Sequence, residues 1–492
     1  MSSFPPIYLN CSLCGHNQPL TELVKRQYKH RCKDTEACAE RQLDLEPETV
    51  DTTPKRKGYV ITSVLSDCFL HHAAYKATKN LADALGFELI ITPVAWGRLT
   101  EGAWVRYNDI YLNPQPLVLD CDSRTVRLAS DLNINANALA PLTGLAGIAD
   151  NDHLIVPHPV RYLQTTASPI GELSKVMMTT GTVSDFQAHS VSTRVGAMTK
   201  FHSQLGCVVF TDGDYPITPL PYCTSTDSYS FEGRTYYADG SNSVAGTNPY
   251  VYLPDMHLAH PNPGYLASLR DELRQTDCEN AIGGDMFDGS SMLHHERDRL
   301  GYFAERMTIF QELDLLKDFV REIGLYLPGK IYNIVGNHET FTDRFFVGDL
   351  SNTLAKFNKD EQIFLLRGFA HVLENTHHSE AGIKYASMYR YFIDSYLNEP
   401  NFEIAPRDVR VGKTLLGYHG HEWMLQKGGI HQSNYKVVAG HVHTPEISRN
   451  MTKVGYGGHP DPTYQSGLNK ACAAHAFISP YGKITMRLWL PN

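Results

Sequence analysis

The sequence lacks any apolar run long enough to span a bilayer, and residues 1–10 lack the basic start and apolar stretch of a secretory signal. We therefore expect a cytoplasmic protein with no membrane partner. An excess of positive charge is also missing, because 44 lysines and arginines face 53 aspartates and glutamates, for a net charge of -9 at pH 7. No global basic field attracts nucleic acid, although a local patch or metal ions can offset an acidic average.

Cysteine is scarce, since ten cysteines in 492 residues do not make a disulfide scaffold. Six stand alone and are expected to be small buried side chains: Cys68, Cys121, Cys207, Cys223, Cys278 and Cys472.

The other four cysteines lie in one short polar segment: Cys11, Cys14, Cys32 and Cys38. A C-x-x-C pair can hold a metal from one tight turn, and a second pair completes a tetrahedron. We expect these four to bind one structural zinc ion, with His16 or His30 as a substitute for one thiolate. Reduced, unpaired thiols are the alternative.

The chain is longer than one hydrophobic core ordinarily accommodates, which favours two or three domains. We assign residues 1–43 to the zinc-binding module and the polar, aperiodic residues 44–57 to a linker. Strand, helix and strand patterns follow between Gly58 and Val94, with Gly86 placed to end the helix. This βαβ pattern predicts an α/β accessory or substrate-recognition domain over residues 58–245. A second domain is expected over residues 246–492.

Five short polar motifs follow apolar runs in the second half of the chain. They are DMH (255–257), GDMFD (284–288), GNHE (336–339), YHG (418–420) and GHVH (440–443). Apolar residues at helical spacing from Phe303 to Ile323, closed by Gly324, predict the helix that connects two parallel strands. Polar residues just past strand ends lie in the loops where α/β proteins assemble their sites.

The residue types of these motifs suit a pair of metal ions. Carboxylate and amide oxygens bind hard divalent ions, while imidazole suits manganese, iron, nickel or zinc. A carboxylate can bridge two ions roughly 3.5–4 Å apart, and such a pair stabilises the attacking and leaving oxygens at phosphorus. Magnesium alone suits this many histidines poorly. We expect two divalent ions, with manganese favoured over iron, nickel or zinc.

The ordered set resembles the calcineurin-like metallophosphoesterase superfamily, whose pattern runs D-x-H, G-D-x-x-D, G-N-H-[DE], H and G-H-x-H. The resemblance implies an α/β sandwich of two mixed sheets flanked by helices over residues 246–492, with residues 341–410 as an insert or cap. It also implies hydrolysis of phosphoesters by in-line attack of a metal-bound hydroxide on phosphorus.

The resemblance also assigns a role to each motif residue. The first metal would be held by Asp255, His257 and His443. The second metal would be held by Asn337, His419 and His441, with His419 favoured over His421 and Asp285 bridging the two ions. His338 would be catalytic and assist the leaving oxygen, with Glu339 orienting it. Asp288 would support the Asp285 loop.

A second resemblance concerns the middle of the chain. The segments PLTGLAG (141–147), IVPHP (155–159) and KFHSQLG (200–206) look like phage-encoded metallophosphoesterases described as DNA-transfer or DNA-degrading proteins. That group implies a metal-dependent DNase, similar in its catalytic half to double-strand-break-repair nucleases and acting on DNA in the host cytoplasm. Endo- or exonuclease action and a homo-oligomeric state are left open.

Two alternatives accompany the DNase hypothesis. One is a phosphomonoesterase or cyclic-nucleotide phosphodiesterase, in which the middle domain admits small substrates only. The other is a DNA-binding or assembly protein with a vestigial site.

Overall fold

A computed structural model describes most of the chain. The described residues are 8–10, 17–19, 23–26, 29–32, 57–66, 68–95, 107, 110–121, 124–132, 134–149, 152–169, 174–185, 202–292, 307–344, 354–379, 382–384, 386–421, 435–448, 450–459 and 470–491. The expected zinc site lies outside them, because Cys11, Cys14 and Cys38 are not described and only the backbone of Cys32 is. The described residues form a mixed α/β structure with several mixed sheets.

The strands are short, and most of those from Gly58 onward have buried side chains. In chain order they are β1 (Tyr8–Asn10), β2 (Asn17–Pro19), β3 (Leu23–Arg26), β4 (Lys29–Cys32), β5 (Gly58–Leu65), β6 (Phe69–Leu70), β7 (Glu88–Val94), β8 (Leu117–Cys121), β9 (Arg124–Leu128), β10 (His153–Val156), β11 (Leu163–Thr165), β12 (Val176–Thr179), β13 (Ser184–Asp185), β14 (Gly206–Thr211), β15 (Ile217–Pro221), β16 (Ser228–Phe231), β17 (Arg234–Tyr237), β18 (Asn242–Val244), β19 (Asn248–Tyr252), β20 (Cys278–Gly284), β21 (Ile331–Ile334), β22 (His377–Ser379), β23 (Gly382–Lys384), β24 (Phe402–Ile404), β25 (Arg410–Val411), β26 (Thr414–Leu415), β27 (Lys436–Ala439), β28 (Glu446–Ser448), β29 (Met451–Lys453), β30 (Ala474–Ile478) and β31 (Ile484–Leu488).

Seven α-helices occur among the described residues. They are α1 (His72–Leu85), α2 (Ala146–Ala149), α3 (Pro263–Gln275), α4 (Ile309–Gly324), α5 (Phe341–Arg344), α6 (Lys359–Asn375) and α7 (Met388–Phe392). A 3-10 turn spans Ser290–Met292, and a π-helical turn over Ile393–Leu397 continues α7. In the part of the chain that the structure describes, no helix combines the length and apolarity needed to cross a membrane.

The expected βαβ unit near Gly58 is confirmed. β5 and β7 pair in parallel, and α1 lies between them in the chain. The helix ends at Gly86, whose φ of 68° is in the left-handed region that favours glycine. The unit extends to a four-stranded sheet of order β15-β14-β5-β7.

A six-stranded sheet, of order β24-β21-β20-β19-β30-β31, carries the first three motifs. Its strands β19, β20, β21 and β24 are parallel, so the motifs after β19, β20 and β21 lie at one edge. α3 connects β19 to β20, and α4 connects β20 to β21. The predicted connecting helix is therefore confirmed, although it begins at Ile309, where a capping box of Thr308 and Gln311 satisfies its first amides. Phe303 lies outside the described residues.

A ten-stranded sheet joins the middle of the chain to its C-terminal part. Its order is β25-β26-β27-β29-β28-β11-β12-β10-β9-β8, and Leu163 of β11 pairs with Ile447 of β28. One buried apolar cluster includes Ile61, Ile155 and Leu488, from strands of three different sheets. The domain boundary at residue 245 stays a prediction, and strands from both sides of it share one sheet.

The two large sheets also share an apolar layer below the motifs. Tyr252, Ile282 and Ile334 of the six-stranded sheet pack with Val438 of β27 and Val454 after β29. The helices α3, α4, α6 and α7 contribute to a separate buried cluster with Val251 and Ile331. The strand ends that carry the motifs are therefore fixed by packing on more than one side.

The predicted insert contributes to this core. Met388, Tyr389 and Phe392 of α7 are buried in the same apolar cluster as α4. Tyr389 also stacks at an angle on Phe287, with ring centroids 5.7 Å apart. These contacts favour simple packing of the described part of residues 341–410 over a loosely attached cap.

Candidate metal centre

All seven predicted metal ligands lie in loops that follow buried strands. Asp255 and His257 follow β19, Asp285 follows β20 and Asn337 follows β21. His419 follows β26, whereas His441 and His443 follow β27, and these two strands pair in parallel. The carboxyl ends of parallel strands meet at one edge of a sheet, so three motifs lie together on the six-stranded sheet and two on the ten-stranded sheet. The packing of the two sheets on each other brings all five motifs together.

Asp255, His257 and His443 form a first cluster. The Nε2 atoms of His257 and His443 are 3.0 Å apart, and the Nε2 of His443 lies 3.6 Å from Oδ2 of Asp255. Ligand atoms at 2.0–2.1 Å from a tetrahedral metal are about 3.3 Å from one another. The two observed separations, from His257 to His443 and from His443 to Asp255, are compatible with one shared ion.

Asp285, Asn337, His419 and His441 form a second cluster. The Nε2 of His419 lies 2.9 Å from Oδ2 of Asp285 and 3.2 Å from Oδ1 of Asn337. The Nδ1 of His441 lies 3.0 Å from the same Asn337 oxygen. Two imidazoles, a carboxylate and an amide oxygen thus meet at one point, which is a donor set typical of a divalent transition metal.

Two aspartates connect the clusters. The backbone carbonyl of Asp285 accepts a hydrogen bond from the amide of His257, 2.9 Å away. Asp255 accepts a hydrogen bond from the amide of His441 and lies 3.8 Å from Nδ1 of His419. The side-chain bridge assigned to Asp285 stays a prediction, and its backbone already ties the two loops together.

The backbone of the site is strained. Four ligand-bearing residues have positive φ: His257 (43°), Asp285 (44°), His441 (72°) and His443 (56°). Only seven non-glycine residues of the described chain share this feature. Each such conformation costs roughly 1–2 kcal/mol. Strain concentrated at one place indicates a functional site, since packing elsewhere must hold it.

Two glycines allow the carboxylates to approach the backbone. A Cβ at Gly336 would stand 2.1 Å from Oδ1 of Asp285, and one at Gly440 would stand 2.1 Å from Oδ1 of Asp255. No real side chain fits at such distances. The glycines of GNHE and GHVH are therefore explained by the positions of the two carboxylates.

Electrostatics at the site favour a bound cation. Burial raises the pKa of Asp255 to about 7, with Asp285 adding to the effect and His419 opposing it. Burial also raises the pKa of Glu339, to about 8, with Asp285 contributing again. Burial and the neighbouring His257 hold the pKa of His443 well below its usual range, so its imidazole is neutral and offers a lone pair. Crowded acids and a neutral imidazole are what a metal ion stabilises.

His338 is oriented by Asp288 rather than by its neighbour Glu339. The Nδ1 of His338 donates to the carbonyl of Asp288 at 2.7 Å and lies 3.5 Å from its Oδ1. The carboxylate of Glu339 instead accepts from the amides of Met286 and Gly336 and from Nδ2 of Asn333, at 2.8–3.2 Å. The structure thus differs from the expectation at this point: Glu339 fixes the loops after β20 and β21.

Asp288 was predicted only to support the Asp285 loop, but its carboxylate also contacts the ring of His257. Its Oδ1 is 2.6 Å from Nδ1 of His257, which leaves Nε2 of that ring for the first cluster. His257, Asp288 and His338 together also form a group close enough to hold an ion. The G-D-x-x-D motif identified Asp288 as a residue of the site but gave no indication of its contact with His257.

Three further residues lie around the site: Tyr456 and Tyr389, which no sequence motif indicated, and His421, the alternative to His419 in the sequence. The ring of Tyr456 lies 4.5 Å from that of His443 and 5.3 Å from that of His257. The hydroxyl of Tyr389 donates to Asn333, which connects α7 to the carboxylate of Glu339. His421 stands one ring farther out, 5.4 Å from His419 and 6.0 Å from His441.

The residues present fit a pair of metal ions. Oδ1 of Asp255 and Nδ1 of His419 are buried and have no hydrogen-bond partner among the described residues, although such atoms are normally satisfied. Asp285, His419 and His441 form a second group close enough to hold an ion. A buried carboxylate oxygen and a buried imidazole nitrogen without hydrogen-bond partners, close to several other possible ligand atoms, are what is expected of a site that binds cations.

No protein family, curated protein or solved structure matches this chain.

Proposed function

We propose that the chain is a two-metal phosphoester hydrolase and that its substrate is DNA. The observation that carries the proposal is the meeting of seven ligand-type side chains, from five loops, in two adjoining clusters. Asp255, His257 and His443 would hold one ion, and Asn337, His419 and His441 the other, with Asp285 between them. A pair of divalent ions there would supply an activated water and offset the charge that develops at phosphorus.

The protein itself would contribute His338, a positioned side chain that can give a proton to the leaving oxygen of the substrate. Because Nδ1 of His338 donates to the carbonyl of Asp288, the proton exchanged with substrate belongs to Nε2. The side chain is 16% exposed, so a substrate oxygen can reach it. When protonated, His338 gives this proton to the leaving oxygen, an effect worth roughly 10²–10⁴ in rate for a positioned acid.

The choice of DNA is supported by the sequence rather than by the metal centre. The segments at 141–147, 155–159 and 200–206 resemble DNA-degrading phage proteins, and a cysteine-rich module precedes them. The net charge of -9 opposes tight binding of a polyanion. A nuclease that must release its products has no need of such tight binding.

The test compares three substrates and two variants. Purified protein with Mn²⁺ is incubated with linear duplex DNA, circular duplex DNA and bis-p-nitrophenyl phosphate. Asp285→Asn removes a ligand, and Asp271→Asn removes an exposed aspartate of α3 as the matched control. We expect the parent and Asp271→Asn to degrade DNA, and Asp285→Asn to be inactive on every substrate.

Each other result has a distinct meaning. Cleavage of the small ester with both DNAs intact would keep the two-metal chemistry and reject DNA as substrate. Equal activity of Asp285→Asn and the parent would reject the metal centre as the site. Loss of circular DNA would add endonuclease action.

A further inference from the structure

A second, basic cavity lies apart from the metal centre. It has a volume of about 350 Å³ and is lined by the start of β27, the β28–β29 hairpin, the start of β31 and the segments that flank β14 and β15. Lys436 stands at one end of β27, and His441 follows the other end. The extended part of this segment, from Lys436 to Ala439, spans about 10 Å. The cavity uses no residue of the metal centre.

Three cations line this cavity: Arg161, Lys436 and Lys483. Among the described residues, no carboxylate forms an ion pair with any of them. The guanidinium of Arg161 is buried, and its NH2 donates to the carbonyl of Pro219 at 3.1 Å. Arg161 is buried, whereas Lys436 and Lys483 are partly exposed. Buried cations are ordinarily paired, so this unpaired guanidinium beside two further cations favours binding of an anion in the cavity.

The cations also repel one another. Burial lowers the pKa of Lys436 to about 8, with Lys483 and Arg161 adding to the effect. Burial lowers the pKa of Lys483 as well, and Arg161 contributes there too. A bound anion would relieve this repulsion and keep all three groups charged.

Unsatisfied hydroxyls stand in the same wall. Ser203 and Ser448 line the cavity and are 6% and 7% exposed, and within the part of the chain that the structure describes the Oγ atom of each lacks a hydrogen-bond partner. A buried hydroxyl normally has one. Each can rotate to donate to an oxygen of a ligand. Cations and hydroxyl donors around one space are the groups that bind phosphate.

The remaining wall is apolar. Leu205, Tyr222, Ile447 and Met451 face the same space. A cavity of this volume lies in the range that takes small organic ligands, too narrow for a duplex. We propose that this cavity binds a small organic phosphomonoester, of the class of a nucleoside 5′-monophosphate, with its phosphate on Arg161, Lys436 and Lys483.

The test is calorimetric titration of the full chain in EDTA, so that phosphate does not bind at the metal centre. The probes are deoxyadenosine 5′-monophosphate, deoxyadenosine and inorganic phosphate. We expect the monophosphate to bind more tightly than inorganic phosphate, and deoxyadenosine not to bind. Lys483→Gln should weaken monophosphate binding by roughly ten- to a hundredfold, the loss expected for a hydrogen bond to a charged group.

Two control variants keep the proposal falsifiable. Lys330→Gln removes a half-exposed lysine elsewhere and should bind like the parent. Asp285→Asn should also bind like the parent, because the cavity is separate from the metal centre. Ser448→Ala should weaken binding without altering the fold, which circular dichroism checks. The proposal is overturned if Lys483→Gln binds like the parent, if deoxyadenosine binds equally well, or if inorganic phosphate alone binds as tightly as the nucleotide.

Discussion

At the residue scale, Asp288 is the group that holds two histidines of the site at once. One carboxylate oxygen is 2.6 Å from Nδ1 of His257, and the backbone carbonyl accepts from Nδ1 of His338. Burial acts to raise the pKa of Asp288, but His257 and His338 outweigh it and lower that pKa, so the carboxylate is charged. A charged partner behind an imidazole fixes its tautomer and raises its basicity as a ligand.

The first prediction concerns this carboxylate. Asp288→Asn keeps the shape and an oxygen acceptor but removes the charge behind His257. We expect the affinity for Mn²⁺ to fall roughly 10–100-fold, the usual effect of losing such a partner. Titration with Mn²⁺, followed by calorimetry, measures it. Unchanged affinity in Asp288→Asn would remove Asp288 from the account of the first cluster.

The second prediction concerns Gly440. A methyl group there would stand 2.1 Å from Oδ1 of Asp255, so Gly440→Ala must displace that carboxylate. We expect at least a tenfold loss of Mn²⁺ affinity and a loss of about 1–3 kcal/mol in the free energy of unfolding. Gly147→Ala is the matched control, because no atom of the described residues lies within 4 Å of its added methyl group. That control should bind Mn²⁺ like the parent, and similar effects of both substitutions would contradict the argument.

At the scale of the element, β10 and the turn after it bury two neutral histidines. The Nδ1 of His153 accepts from the amide of Val176 at 3.1 Å, and that of His158 accepts from the amide of Val160 at 3.1 Å. Burial lowers the pKa of His153 to about 3 and that of His158 to about 4. In the unfolded chain each histidine takes up a proton as the pH falls through about 6.5. In the folded chain each stays neutral until the pH falls to about 3–4.

The third prediction follows from the sign of this difference. Stability from the two neutral histidines is present above pH 6.5 and is lost as the pH falls toward 3–4. His153→Asn keeps an acceptor for Val176 and removes one titrating group. Between pH 7 and pH 5, the parent should lose about 2 kcal/mol more than His153→Asn in the free energy of unfolding. Urea unfolding at both pH values measures this, and parallel losses would show that His153 is not held neutral.

The elements around the site were largely predictable from local signals. The helical spacing of Leu313, Val320 and Ile323 and the apolar run before Asp255 both predicted correct elements, because burial imposes these periods. The orienting contact of Asp288 was not predictable. It depends on where the loop after β20 meets the loop after β19, which is a matter of tertiary packing. Tyr389 and Tyr456 were missed for the same reason, since core aromatics carry no motif.

At the scale of the whole molecule, the sequence pattern suggested a boundary near residue 245, but strand pairing crosses it. The pairing of β11 with β28 is not visible in the sequence, because the paired residues Leu163 and Ile447 are 284 positions apart and neither strand has a distinctive pattern. Leu163 and Val176 from one side pack in the same apolar cluster as Ile447 and Met486 from the other. Separation would expose this apolar surface to water.

The fourth prediction tests this shared core. Residues 246–492 expressed alone should aggregate or lack a cooperative thermal transition, because half of the ten-stranded sheet is missing. Co-expression with residues 1–245 should restore a soluble complex that purifies together. A monomeric 246–492 fragment with a sharp thermal transition would show instead that the C-terminal part folds independently.

The fifth prediction tests whether two metal ions bind to the seven ligand residues found in the sequence from Asp255 to His443. The measurement is the Mn²⁺ content of the full chain after equilibrium dialysis, for the parent, Asp285→Ala and His338→Ala, with turnover of bis-p-nitrophenyl phosphate alongside. We expect two Mn²⁺ per parent chain and loss of both metal and activity in Asp285→Ala. His338→Ala should keep its normal metal content and lose turnover roughly 10²–10⁴-fold. Parent protein that binds no Mn²⁺, or His338→Ala with full activity, would contradict it.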